Sequence, residues 1–251
     1  MLNFNQFIRR VILLPIYSIF SGKIPFVLFI PWGGKWFMFT RFSVVQVKEP
    51  KLSSLDYYRH FIPSKGDLVL DIGGELGLEA VQFSKIVGKS GMVYTFECLP
   101  DHVTCLQSLT RTHSNIQVVN QACWNFKTTL DFFIGATTGS GSPVDNVKGQ
   151  LNQTLKNQNT SSIQVNADTL DSFWEDVLHK SKVDFIKMDI EGAEYEALEG
   201  ARNLLMDTSN IVVAAYHIRD GVPTAKRVAE YLTSLDFDVL IDDNLHVYGS
   251  R

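Results

Sequence analysis

Short apolar runs rich in β-branched residues alternate with longer amphipathic stretches from Leu68 to the end of the chain. This alternation is typical of a mostly parallel sheet covered by helices on both faces. One helix is expected to begin near Leu78 and a second to run from about Asp101 to Thr112, where apolar residues recur at helical spacing. The expected strands are Leu68–Asp71, Met92–Glu97, Ile116–Asn120, Phe185–Asp189, Ile211–Tyr216, Asp238–Ile241 and His246–Tyr248.

The end of this pattern and an interruption within it refine the fold class. The last two strands are separated only by Asp242-Asp243-Asn244, whose composition predicts a turn and therefore an antiparallel hairpin. Between two further predicted strands, Thr129–Ile134 and Ser161–Val165, residues 135–162 are rich in Gly, Ser, Thr and Asn. Such a long polar stretch is either a substrate lid or a disordered insert, and we expect a lid. The sequence thus predicts one doubly wound α/β domain over residues 51–251.

Residues 1–50 form an apolar and aromatic extension before that domain. Its two apolar runs, Val11 to Phe20 and Ile24 to Trp32, are each shorter than the ~20 residues that span a bilayer. Pro15 and the lack of a cleavage site argue against a signal peptide. Apolar residues at helical spacing beside cations suit a helix lying in the headgroup layer. The alternative for residues 1–45 is a homodimer interface or packing over the domain.

Composition excludes several classes of function. The formal net charge of −4 and pI near 5.9 offer no cationic field for a nucleic-acid backbone, so nucleic acid is not an expected partner. The three cysteines include no C-x-x-C pair, which argues against a disulfide framework and a zinc site. A cytoplasmic protein is therefore expected, with peripheral contact to a membrane left open.

The first candidate motif runs from Val69 to Gly77, where a buried strand ends in Asp71 and enters a glycine-rich turn. Gly73 and Gly77 allow the backbone to approach a ligand closely, and the helix that follows offers N–H groups. Asp71 is placed to pair with an ammonium group of a ligand. The alternative is a strand–turn–helix junction without any ligand.

The second motif is the acidic end of the next strand. Glu97 follows Gly77 by 20 residues, and a carboxylate there can accept both ribose hydroxyls of an adenosine-containing cofactor. The enzyme alternative, an NAD-dependent oxidoreductase, uses the same carboxylate, but its site also needs Gly-x-Gly-x-x-Gly around a pyrophosphate. The turn here lacks that spacing and carries Glu75 in the middle, so a cationic cofactor fits better than a phosphate.

The third motif, from Val183 to Glu194, is the most specific. An apolar strand carries Lys187, and three carboxylates surround a glycine at its end. Buried charges of this kind are costly unless they are paired or used. Asp189 is expected to face the crevice at the carboxyl edge of the sheet. Glu194 is better explained as an acid at a helix N-terminus.

These motifs together resemble the FkbM family of methyltransferases, over about Lys65 to Leu205. The resemblance implies a class I, Rossmann-like methyltransferase fold that uses S-adenosylmethionine and O-methylates a hydroxyl of a sugar, glycolipid or polyketide-type metabolite. This sequence differs from the family's usual pattern at Gly74-Glu75 and at Tyr216. The motifs that carry the resemblance are Asp71-Ile-Gly-Gly with Gly77, Glu97, Thr169-Leu170-Asp171 and the run from Ile186 to Glu194.

Asp71, Gly73, Gly77, Glu97 and Asp189 are accordingly predicted to bind the cofactor. Asp189, Glu191 and His217 form the predicted catalytic set, facing a small-molecule or glycan acceptor. His217 follows an apolar strand, and a positioned imidazole or carboxylate can take the proton of the acceptor hydroxyl.

Two alternatives to this catalytic scheme stay open. The same three catalytic residues can instead hold a divalent cation, but no local ligand spacing supports one and no metal is expected. The rival function from another class is a cofactor-binding scaffold that has lost transfer activity.

Overall fold

The computed structural model describes residues 28–32, 35–39, 44–47, 56–134, 141–142 and 161–251. Its helices are α1 (Leu78–Val87), α2 (Pro100–Leu109), α3 (Leu170–Asp176), α4 (Glu194–Glu199), α5 (Arg202–Met206) and α6 (Ala225–Thr233), with short 3₁₀ turns at Asp56–Tyr58 and Gly88–Ser90. Its strands are β1 (Leu28–Trp32), β2 (Lys35–Phe39), β3 (Val44–Val47), β4 (Leu68–Ile72), β5 (Met92–Glu97), β6 (Ile116–Asn120), β7 (Ala122–Cys123), β8 (Thr128–Ile134), β9 (Gly141–Ser142), β10 (Ser161–Asp168), β11 (Val183–Met188), β12 (Thr208–Ala214), β13 (Ile218–Arg219), β14 (Val222–Pro223), β15 (Asp238–Ile241) and β16 (His246–Ser250).

The central sheet has seven strands in the order β15-β16-β12-β11-β4-β5-β6. The strands from β12 to β6 pair in parallel, whereas β16 is antiparallel to both β12 and β15. The predicted mostly parallel sheet with a C-terminal antiparallel hairpin is therefore confirmed. The order reverses between β4 and β11, which opens a crevice at their carboxyl ends.

Both faces of this sheet are buried, which explains the nearly continuous apolar runs of its strands. Successive residues of a strand point to opposite faces, so Leu70 and Ile72 pack in one core and Val69 in another. The first core receives α3, α4, α5 and α6, and the second receives α1. The sheet and the helices on its two faces thus form three packed layers that support the loops at the edge of the sheet.

Two strands differ from the predicted bounds in ways that matter for the crevice. β12 begins at Thr208, before the apolar run, because its first residues already pair with β11. It ends at Ala214, so Tyr216 and His217 lie in the loop beyond it. β11 likewise ends at Met188, which places Asp189 just past the strand. Hydrogen-bond pairing with neighbouring strands, rather than hydrophobicity, decides these ends.

A second sheet of four strands, in the order β7-β10-β8-β9, lies beside the central one. β8 and β10 pair antiparallel over seven residues, and side chains of both join Trp124 in a small core of their own. Of the insertion predicted at 135–162, the structure describes only residues 141–142 and 161–162. Its role as a lid stays a prediction.

The N-terminal extension contains three described strands, β1, β2 and β3, which form an antiparallel sheet. Phe29, Trp32 and Trp36, which the sequence pattern had assigned to a helix on a membrane surface, lie in β1 and β2, so that expectation is wrong for them. The earlier part of that predicted helix, residues 4–12, falls outside the described residues, and membrane contact and the division at about residue 50 stay predictions. Among the described residues, no helix has the length and apolar content to cross a bilayer.

Candidate active site

An open cleft lies at the carboxyl ends of β4, β5 and β11. It holds about 850 Å³ of empty space, including solvent at its mouth. Gly73, Glu97 and Asp189 all line it, each following one of three neighbouring strands. Ligands of open α/β sheets bind in such a crevice. The structure therefore brings residues from all three predicted motifs together in one site.

Gly73 and Gly77 hold the turn between β4 and α1 in a left-handed backbone conformation, with φ of +85° at both. A Cβ atom on Gly73 would lie 1.9 Å from the carbonyl oxygen of Asp189, and one on Gly77 would lie 2.2 Å from Leu109 Cδ1. Only glycine fits at either position. Gly73 lines the cleft, whereas Gly77 caps α1 and packs behind the cleft against α2. The predicted cofactor contact of Gly77 stays a prediction.

Asp71 lies beneath the cleft in an ion pair with Lys187. The Asp71 carboxylate is fully buried, 3.1 Å from Lys187 Nζ, and it accepts a 2.9 Å hydrogen bond from the Thr95 hydroxyl. Lys187 Nζ also donates to the Gly73 carbonyl oxygen at 2.6 Å. Burial lowers the pKa of Lys187, but Asp71 and neighbouring carboxylates raise it above its ordinary value. Lys187 lines the cleft in place of Asp71, and direct ligand contact by Asp71 stays a prediction.

Glu97 is held rigidly at the end of β5. Its Oε1 accepts hydrogen bonds from the backbone N–H groups of Cys98 (2.8 Å) and Leu99 (2.9 Å), and its Oε2 accepts one from Glu75 (3.0 Å). His102 Nδ1 lies 3.6 Å from Oε2, and Glu97 raises the pKa of His102 although burial opposes this. The carboxylate is thus fixed in one orientation at the cleft wall.

Two tyrosine hydroxyls orient Asp189. Tyr57, from the 3₁₀ turn that precedes the sheet, donates to Asp189 Oδ2 at 2.6 Å, and Tyr216, from the loop after β12, donates at 3.2 Å. Burial and the charge of Asp189 raise the pKa of both tyrosines well above its ordinary range. Both hydroxyls therefore stay protonated at neutral pH and act as donors.

His217 lies among three carboxylates. Its Nδ1 is 2.9 Å from Oε1 of the fully buried Glu194, while its Nε2 is 3.6 Å from Asp189 and 3.5 Å from Glu191. Burial lowers the pKa of His217, but the hydrogen bond to Glu194 and the charges of all three acids together raise it above its ordinary value. The arrangement favours an imidazolium that pairs with Glu194 and lies beside Asp189 and Glu191. An imidazolium has no free nitrogen to accept a proton.

The loop after Asp189 is strained and clamped from outside. Glu191 has φ of +57° and Gly192 has φ of +99°, and strain of this kind concentrates at functional sites. Arg219, on the short β13–β14 hairpin, donates to the Gly192 carbonyl oxygen at 3.1 Å and pairs with Glu196 at 2.7 Å. The position of Glu191 at the cleft thus depends on a hairpin that follows β12.

Asp189, Glu194 and His217 also form the one group of candidate metal ligands found within the described residues. Their ligand atoms all lie within 4.8 Å of one another. Glu194 replaces Glu191 in the ligand set that the sequence had suggested as an alternative. All three side chains already have partners in the protein, so metal binding here requires these pairs to separate.

Four residues of the site were not identified from the sequence. Tyr57 and Glu79 line the cleft, His102 supports Glu97, and Tyr216 supports Asp189. Tyr57 is 132 residues from Asp189 in the sequence and belongs to no motif. Glu79 follows the pattern of an ordinary acid in the first turn of a helix. Tyr216 alone carried a signal, because it precedes His217 directly.

The sequence matches the model of one protein family. Residues 71–239 match the family described as the Methyltransferase FkbM domain. These residues include the end of β4, all of β5, β11 and β12, and every predicted site residue. No curated protein matches the chain.

Three solved structures are similar to this chain, and the FkbM methyltransferase among them shows the same fold. A methyltransferase FkbM from Methylobacillus flagellatus KT is 17% identical, with a TM-score of 0.53 over 77% of this chain, which spans 46% of that protein. Fibrillarin from Aeropyrum pernix, solved with natively bound S-adenosyl-L-methionine, is 14% identical over 89% of this chain and 99% of its own, with a TM-score of 0.45. A SAM-dependent methyltransferase from Aquifex aeolicus is 16% identical over 74% of this chain and 81% of its own, with a TM-score of 0.40.

Proposed function

We propose, since the chain belongs to the FkbM family of methyltransferases, that it transfers the methyl group of S-adenosylmethionine to a hydroxyl of a small-molecule or glycan acceptor. The observation that carries the proposal is the position of two carboxylates in one cleft. Glu97 ends β5 and Asp189 follows β11. These two strands lie on either side of β4, so their axes are about 10 Å apart. One carboxylate is thus available to the cofactor and the other to the acceptor.

The residues of the cleft fit this cofactor. Glu97 is fixed by three backbone N–H groups and suits a pair of ribose hydroxyls. Glu75 and Glu79 line the same cleft and favour a ligand that carries positive charge. Gly73 lets the turn after β4 pack directly against the backbone of Asp189, where a Cβ atom would clash. When bound, S-adenosylmethionine supplies an electrophilic methyl group on a positively charged sulfur.

Asp189 is the group we assign to the acceptor hydroxyl. Its carboxylate faces the cleft and is held by Tyr57 and Tyr216, so it can accept a hydrogen bond from the hydroxyl and take its proton. His217, with a raised pKa, is assigned to orient Asp189 rather than to serve as the base. Glu191, beside His217, offers a second carboxylate at the mouth. Positioning of this kind supplies much of the rate of a group transfer.

The surface next to Asp189 favours an acceptor with an apolar part. Tyr216, Ile218 and Val222 are exposed by 41%, 64% and 61%. The hairpin that carries the last two is tied by Arg219 to the loop after Asp189. Exposed apolar side chains clustered beside a site mark a binding surface. This supports a glycolipid or polyketide-type acceptor over a free sugar.

Replacing Glu97 by alanine is expected to weaken S-adenosylmethionine binding by roughly tenfold to a hundredfold, because charge-assisted hydrogen bonds to two hydroxyls are lost. Isothermal titration measures the dissociation constant. Since the same carboxylate holds three backbone N–H groups, thermal unfolding and the variant Glu97→Gln, which keeps the size of the side chain, serve as controls. An unchanged dissociation constant in a folded Glu97→Ala protein would contradict the ribose assignment.

Methyl transfer itself is tested with isotope-labelled S-adenosylmethionine and a panel of acceptors. The panel contains free sugars, glycolipids and hydroxylated polyketide-type compounds. We expect label on a hydroxyl oxygen, with higher kcat/KM for acceptors that carry an apolar arm. Cofactor binding without turnover on any acceptor would instead favour the scaffold function and contradict the proposed one.

A further inference from the structure

Glu79 places a carboxylate at the inner end of the cleft, and no specific part of the cofactor has been assigned to it above. It is the second residue of α1, directly after the turn formed by Gly73 and Gly77, and it lines the cleft together with Tyr57 and Lys187. The residue is partly buried. Within the described residues, no other side chain forms a hydrogen bond or a salt bridge with it.

The nearest cation is committed elsewhere. Lys187 pairs with Asp71 at 3.1 Å and donates to the Gly73 carbonyl oxygen at 2.6 Å. Its ammonium acts on Glu79 only through space. Within the described residues, the buried Asp71 carboxylate and that of Glu79 therefore share a single ammonium group at the inner end of the cleft, and the exposed Glu75 adds negative charge nearby. A ligand that brings a positive charge to this end of the cleft would compensate the excess negative charge.

Of the two ends of S-adenosylmethionine, only the amino-acid end carries a positive charge, on its α-ammonium group. Glu97 holds the ribose side at the end of β5, and Gly73 lies between Glu97 and the end of β11. A ligand bound in this direction extends its amino-acid part past Gly73 towards α1. Asp71 cannot reach it, because that carboxylate is fully buried below Lys187.

We propose that Glu79, rather than Asp71, is the anionic contact for the α-ammonium group of S-adenosylmethionine. This inference rests on the proposed function, because it assumes the cofactor. It assigns to the residue a specific part of the ligand, separate from the adenosine part that Glu97 holds.

The electrostatics of Glu79 give the contact a measurable signature. Burial raises the pKa of Glu79 to about 7, although Lys187 lowers it. The other groups that act on it are Asp71 from β4, Glu75 from the turn, and Tyr57 and Tyr58 from the 3₁₀ turn. A ligand ammonium favours the ionised carboxylate, so binding near pH 7 must release protons. Affinity is expected to fall as the pH is lowered from 8 to 6.

The test compares two ligands that differ in the amino-acid part. S-adenosylhomocysteine carries the α-ammonium group, and 5′-methylthioadenosine lacks it. Titration of Glu79→Gln is expected to show affinity for S-adenosylhomocysteine reduced about tenfold to a hundredfold and affinity for methylthioadenosine unchanged. Proton release, measured in buffers of different ionisation enthalpy, is expected to disappear. Glu175→Gln, which removes an exposed carboxylate outside the cleft, should match the wild type in every titration.

The stability of the ligand-free protein provides a separate measurement. A carboxyl whose pKa is raised on folding stabilises the protein fully below the pKa it has when unfolded, and this contribution is lost as the pH rises through about 7. Glu79→Gln is therefore expected to unfold at a higher temperature than the wild type at pH 8.

In the ligand titrations, an equal loss of affinity for S-adenosylhomocysteine and methylthioadenosine in Glu79→Gln would show a structural role and overturn the proposal. Unchanged affinity for S-adenosylhomocysteine would also overturn it. Wild-type protein that binds neither ligand would overturn the proposed function as well.

Discussion

Replacing Lys187 by methionine is expected to lower the free energy of unfolding by about 3–5 kcal/mol, because it leaves the buried Asp71 carboxylate without its counter-charge. Both side chains are almost completely inaccessible to solvent, and Lys187 also satisfies the Gly73 carbonyl oxygen. Urea unfolding at pH 8 measures the loss. A loss below about 1 kcal/mol, the size of an exposed ion pair, would contradict the buried pair.

The pH dependence of this variant separates charge from packing. Burial raises the pKa of Asp71, and Lys187 opposes this. Without the lysine, the pKa of Asp71 in the folded state rises further above its unfolded value, so the protonated form stabilises the fold at low pH and this stability is lost as the pH rises. The loss of unfolding free energy in Lys187→Met is therefore expected to be smaller at pH 5 than at pH 8. The double variant Asp71→Asn/Lys187→Met should lose less than Lys187→Met alone.

Replacing Asp189 by asparagine is expected to reduce turnover by about 10²-fold or more, with cofactor affinity nearly unchanged. The amide keeps the size of the carboxylate, and its oxygen can still accept from Tyr57 and Tyr216, but it cannot take a proton. Steady-state kinetics and titration with S-adenosylmethionine measure the two effects. Preserved turnover and acceptor affinity would make Asp189 a structural residue.

Two controls accompany this variant. Asp176→Asn removes an exposed carboxylate at the end of α3 and should leave turnover at the wild-type level. Excess chelator tests the metal alternative at Asp189, Glu194 and His217. We expect full activity, and its loss with recovery on adding a divalent cation would replace acid–base assistance by metal assistance.

Much of the fold follows from local pattern, because burial on both faces of a parallel sheet leaves long apolar runs that local sequence displays. Both ends of β5, β6 and β15 match the predicted ones. The ends of β11 and β12 differ, because pairing with neighbouring strands decides them and a single strand does not display its partners. A helix start at Glu194 was expected and α4 begins there. The next helix, α5, was not predicted, since it contains only five residues.

The sequence by itself determined which strand ends carry the candidate site residues: Glu97 ends a recognisable strand, Gly73 and Asp189 each follow one, and parallel strands bring their carboxyl ends to one edge. Only the tertiary structure decided how the charges there are used. Asp71, whose contact with a ligand stays a prediction, pairs with Lys187, and His217, weighed as a base, lies among acids that raise its pKa. The physical reason is that a pKa and a partner depend on burial and on distances across the fold. Residues separated by more than 100 positions, such as Tyr57 and Asp189, meet only once the chain has folded.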